Sequence, residues 1–228
     1  MRKILSLMFA ALATLGFASQ SIGDIVVEYT TAGSTSSIAA NSNSSAFVTA
    51  DDLVAGSGLN EQTFSTFNFT GWDTTSTTFA AAVAANDFWT WGFDVSTPGT
   101  SIALTTLETR LDRSGSGPDD FEIQGSVNGG TPISLLTFDF EDSGAGVNFT
   151  GVDISALGTV VTGDSVEFTF AAFNSESDAG SFDLETLTFP GGTDSLQVNG
   201  DFTSAVPEPT CTALLGLAGL AGVVRRRK

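Results

Sequence analysis

Arg113 is one of only two cations between the basic ends of the chain, and it stands among Asp112, Asp119 and Asp120 beside the turn Ser114-Gly115-Ser116-Gly117-Pro118. A guanidinium there can brace the loop through bidentate bonds to carboxylates. Alternatively it can offer its planar fork to a ligand. The acidic groups Asp119-Asp120-Phe121-Glu122 and Asp139-Phe140-Glu141-Asp142 raise a second kind of chemistry. Carboxylates at strand ends and in loops can converge with backbone carbonyls on a hard cation such as calcium. In a chain with 26 acidic residues such groups also arise by chance. Asp119, Asp120, Asp139, Glu141 and Asp142 therefore carry two readings, a calcium site or acidic neighbours without a ligand. The same abundance makes pairs of carboxylates at glycosidase spacing uninformative by themselves. Trp72 follows Gly71 near a turn and is the tryptophan expected to stand exposed as a flat platform for a sugar face. Asn-x-Ser/Thr triplets at Asn43, Asn68 and Asn148 are formal glycosylation acceptors, and in a chain so rich in Ser and Thr they are assigned no role.

Other chemistry is excluded by what the chain lacks. It has no histidine, which removes serine-histidine and cysteine-histidine nucleophiles and the usual zinc sites. Its single cysteine, Cys211, lies in the C-terminal tail, so no intramolecular disulfide braces the domain. Hydrolytic chemistry would rest on carboxylates alone.

Charge narrows the partners. Of eight Lys and Arg, two are Arg2 and Lys3 and four are Arg225, Arg226, Arg227 and Lys228, which leaves Arg110 and Arg113. All the carboxylates but Glu208 fall between those ends, so residues 19–205 carry about −23. Such a field repels a phosphate backbone and anionic lipid, so nucleic acid is not a partner. It attracts cations and keeps a surface hydrated.

The elements that must position these residues are strands. Helical periodicity is nearly absent, while short alternating runs bounded by Gly, Asn, Asp and Ser recur. Strands are predicted over 25–30, 46–54, 63–70, 87–95, 101–111, 121–127, 133–140, 147–154, 165–173, 181–189 and 195–202. The alanine-rich 77–85 is open between a helical turn and a strand. In 87–95, Trp89, Trp91, Phe93 and Val95 line one face and read as core. Asn128-Gly129-Gly130 marks a hairpin. About ten short strands filled by phenylalanine predict an all-β fold, a two-sheet antiparallel sandwich.

Both ends of the chain read as addresses. Arg2-Lys3, an uncharged run Ile4 to Ala18, and the small residues Gly16 and Ala18 predict a secretory signal peptide over 1–18, cut after Ala18 by signal peptidase. At the other end, Val206-Pro207-Glu208-Pro209 is held extended by its prolines. An uncharged run from Thr212 to Val224 follows, short for a permanent span. The terminal Arg225, Arg226, Arg227 and Lys228 would stay on the cytoplasmic side and fix topology. These parts could make an ordinary anchor, a greasy tail packed on the fold, or a sorting signal.

Their order resembles the PEP-CTERM sorting signal of bacteria with an outer membrane, over residues 206–228. The resemblance implies recognition of Pro207, Glu208 and Pro209 by an exosortase, a membrane protease or transpeptidase. It also implies transient anchoring through a short C-terminal membrane helix, then delivery to the surface or extracellular matrix. More loosely, 82–95, the 113–118 turn and the strand Gly180 to Phe189 resemble the jelly-roll ectodomains that often precede such tails, although Glu185 stands where those ectodomains are expected to carry Asn. Three functions follow as expectations. The first is a non-enzymatic binding or structural module, taking an extracellular polysaccharide, calcium or both. The second is a carboxylate-dependent glycan hydrolase or lyase. The third is a purely structural or adhesive matrix protein.

Overall fold

The computed structural model describes residues 25–31, 36–41, 45–62, 66–140, 146–189 and 192–204. In chain order the strands are β1 (Ile25–Tyr29), β2 (Ser37–Ile38), β3 (Val48–Ala50), β4 (Leu53–Ala55), β5 (Asn60–Glu61), β6 (Phe67–Thr70), β7 (Phe88–Val95), β8 (Thr100–Arg113) and β9 (Pro118–Val127). They continue as β10 (Ile133–Asp139), β11 (Val147–Asp153), β12 (Thr159–Val161), β13 (Ser165–Ser175), β14 (Phe182–Glu185), β15 (Leu187–Phe189), β16 (Gly192–Asp194) and β17 (Leu196–Ser204). A single α-helix, α1 (Phe79–Ala85), precedes β7 among the described residues.

Antiparallel pairing builds two sheets that face each other as a sandwich. The 14-residue β8 is the spine of the larger one. Strands β17 and β14 pair in series along one of its edges, and β12 and β11 along the other. β1 lies outside β17, and β6 then β5 lie outside β14. The smaller sheet runs β10-β9-β13-β7-β4-β2, with β3 also on β7. The long strands send alternate residues inward, with a register shift in β8 between Leu104 and Leu107. In β8 these are Ile102, Leu104, Leu107, Thr109, Leu111 and Arg113, and in β7 Trp89, Trp91, Phe93 and Val95, all buried.

Aromatic rings fill the space between the sheets. Trp89 stacks on Phe170 with centroids 4.4 Å apart, and Trp91 on Phe168 at 5.3 Å. Both are cross-strand pairs of β7 and β13. Phe121 and Phe170 of the smaller sheet meet Phe182 of the larger one at 6.0 and 5.2 Å. Each fully buried phenylalanine contributes about 1.5–3 kcal/mol, which lets the core hold without a disulfide.

The open stretch 77–85 is helical because Thr78 caps it, accepting from the Ala81 N–H, and Asn86 ends it in the left-handed region at φ 66°. The single strand predicted over 46–54 is two. β3 pairs Ala50 with Phe93 and β4 pairs Val54 with Thr90, so the three residues between them on one side match two on β7. The extra residue falls at Asp51-Asp52, as a bulge. Strands β2, β5 and β12 are short edge pairings that the pattern does not announce, and β15 and β16 pair with each other as a separate two-stranded ribbon.

Candidate functional site

Trp72 does not form a surface platform. It is fully buried, its indole N–H donates to the Phe69 carbonyl at 2.9 Å, and its ring lies 5.9 Å from both Trp89 and Phe182. The turn at Gly71, with φ 87°, folds the indole inward. The proximity to a turn that suggested exposure is what lets it reach the core.

Arg113 is also buried, at the corner where the chain leaves β8 of one sheet for β9 of the other. Its Nε donates to the Ser114 carbonyl at 3.0 Å, one terminal nitrogen to Gly115 O at 3.1 Å and the other to Phe140 O at 3.3 Å, and it pairs with the Asp119 carboxylate. The loop-bracing reading describes this arrangement, and the guanidinium has no exposed face to offer a ligand. Asp119 and Asp120 do not converge as calcium ligands. They are neighbours on β9 and point to opposite sides of it: Asp119 goes inward to Arg113, while Asp120 accepts from Asn174 Nδ2 and faces Asp139 across the ladder. Glu141, Asp142, Ala18, Pro207, Glu208, Pro209 and Arg225, Arg226, Arg227 and Lys228 lie outside the described residues. Among the described residues no three carboxylates gather closely enough to hold a metal by themselves.

Instead, the outer face of the larger sheet carries two adjoining polar rows, built by register. In one, Arg110 of β8 has Asn148 of β11 on one side and Glu185 of β14 on the other. Its Nε donates to Glu185 Oε2 at 2.5 Å and a terminal nitrogen to Asn148 Oδ1 at 2.8 Å. In the next row Asp112 of β8, Asp183 of β14 and Asn68 of β6 lie directly opposite one another. Phe182 and Leu184 point into the core, so Asp183 points out, yet it and Asn68 are each only 8 % exposed. Burial pushes the Asp183 carboxyl up to about 7, the Thr66 hydroxyl opposes this by donating to Oδ2 at 3.0 Å, and Glu185 and Asp112 add to the rise against the opposing charge of Arg110. Asp112 is raised as well, chiefly by burial, with the Arg113 N–H opposing. The Asn68 Oδ1 is buried with no hydrogen-bond partner.

A second feature lies on the outer face of the smaller sheet, beside α1. Gln124 and Ser126 of β9 and Glu167 and Thr169 of β13 form a polar floor, and Phe79 and Val83 of the helix and Pro132 of the β9–β10 hairpin form apolar walls. The groove holds about 160 Å³, room for about one sugar ring and less than a drug-sized ligand requires. The Gln124 amide nitrogen donates to Glu122 Oε1 at 2.9 Å.

Neither feature is legible as a motif, and the tail remains the specific signal. Residues 205–228 match the PEP-CTERM protein-sorting motif. The match supports export, sorting by an exosortase, and a place at the surface or outside the cell. The β-sandwich that precedes the motif is consistent with the ectodomain expected of such a chain. No curated protein matches the sequence.

Proposed function

We propose that this is a non-enzymatic glycan-binding module that an exosortase delivers to the cell surface or exopolysaccharide matrix. Signal peptidase removes residues 1–18, the tail anchors the chain transiently in the membrane, and its cleavage releases the sandwich. The observation that carries the binding part is the groove beside α1. Apolar walls at Phe79 and Pro132 suit the C–H face of a sugar, and a floor of Gln124, Ser126, Glu167 and Thr169 suits its hydroxyls. The strongly acidic domain favours a neutral polymer over an anionic one. Affinity electrophoresis of the protein through neutral and anionic polysaccharides tests it. Retardation by a neutral glycan that Phe79→Ala abolishes is expected; equal mobility in every polymer removes the binding role and leaves a structural one.

A second reading, a carboxylate-dependent hydrolase or lyase, draws on the facing pair Asp112 and Asp183, with Asp183 in the range of a general acid. Burial weighs against it, because a scissile sugar bond has to reach a side chain that is 8 % exposed.

A further inference from the structure

We propose that the row Asp112, Asp183 and Asn68 on the outer face of the larger sheet holds a calcium ion. The three side chains stand in register on adjacent strands β8, β14 and β6 and project from the same face. Directly opposed residues place their Cβ atoms about 4.5–5.5 Å apart. An ion above the middle residue, Asp183, is then within reach of oxygens from both sides at the 2.3–2.6 Å that calcium adopts. The amide matters most. Asn68 Oδ1 is buried without a partner beside a buried carboxylate, and a polar atom left so costs stability unless something engages it. A cation engages it and both carboxylates together.

Charge leads to the same ion. Around the row stand Asp112, Asp183 and Glu185 against Arg110 alone, and Arg110 is already committed to Glu185 and Asn148. With Asp183 ionised, two negative charges remain unmatched, the charge of one divalent cation. Calcium suits three protein oxygens with water completing an irregular shell, whereas magnesium demands near-ideal octahedral geometry and gives up water reluctantly. The row lies on the opposite sheet from the sugar groove, so it stands whether or not a glycan binds.

Calorimetric titration of the chelator-stripped full-length chain with calcium chloride near neutral pH tests the site. One ion per chain is expected, with at least a tenfold loss of affinity in Asp183→Asn and in Asn68→Ala and weaker binding of magnesium chloride. Asp139→Asn, which removes an exposed acid from the other sheet, titrates like the wild type. Asp183→Asn keeps the side-chain shape and removes a buried charge, so it melts no lower than wild type without calcium and gains nothing from calcium, whereas the wild type gains. Absence of saturable calcium binding by the wild type, or an Asp183→Asn chain that binds as the wild type does, overturns the proposal.

Discussion

Arg113 has an inaccessible side chain, and its donors reach three backbone carbonyls and one carboxylate across the corner between the sheets. Arg113→Met leaves those acceptors unmet and is expected to cost roughly 3–5 kcal/mol, read by urea denaturation. Arg113→Lys recovers less than half of this, because one ammonium cannot span a fork-shaped set of acceptors. Asp183 makes a pH prediction whose sign is opposite to that of a salt-bridged aspartate. Its folded pKa of about 7 lies above the ordinary 3.8, so between those values the folded chain holds a proton that the unfolded chain has lost. Stability is therefore fully present near pH 4 and falls as pH rises toward 7, by on the order of 3 kcal/mol. Chelated wild-type protein should melt lower at pH 8 than at pH 5. In Asp183→Asn that difference shrinks to what the other acids contribute.

At the scale of elements, the corner that Arg113 braces depends on a close approach of two loops. A Cβ on Gly180 would lie 2.1 Å from the Ser116 carbonyl oxygen and 2.5 Å from the Gly117 nitrogen, whereas one on Gly115 would meet nothing within 4 Å. Gly180→Ala is expected to cost more than about 2 kcal/mol and Gly115→Ala to leave the melting temperature within a degree or two. This explains why a glycine precedes β14. The hydrophobic alternation made β7, β8, β9 and β13 readable in the sequence, since each buries one face against the other sheet and exposes the other. Asn128-Gly129 named the β9–β10 hairpin, with Asn128 at φ 53° and Gly129 at φ 63°. The helix was marked by Thr78 and Asn86, but its alanines fit either period. The two polar rows were not readable, because Asp112, Asp183 and Asn68 meet only through the pairing of β8, β14 and β6. Alternating acids at 183 and 185 and at 108 and 112 were the available signal, and they gain meaning only with the register. Trp72 was misplaced for a related reason: a turn shows where the chain bends but not on which side the side chain falls.

Across the whole molecule, sorting and fold are written at different levels. The tail is a local signal, with rigid prolines, a short apolar run and terminal cations that need no tertiary context, and it was legible as such. The domain between the ends gathers 25 carboxylates against Arg110 and Arg113, and both cations are spent on holding carboxylates in place. That imbalance is what makes a cation or a neutral polymer, rather than an anionic one, the ligand to test. Intact-mass spectrometry of the protein recovered from the surface or matrix of the native cell tests the central claim most directly. The account predicts a chain that starts at Ser19 and has lost the apolar run and the Arg225 to Lys228 cluster. Recovery of only the unprocessed chain, Met1 to Lys228, in the cytosol would contradict it.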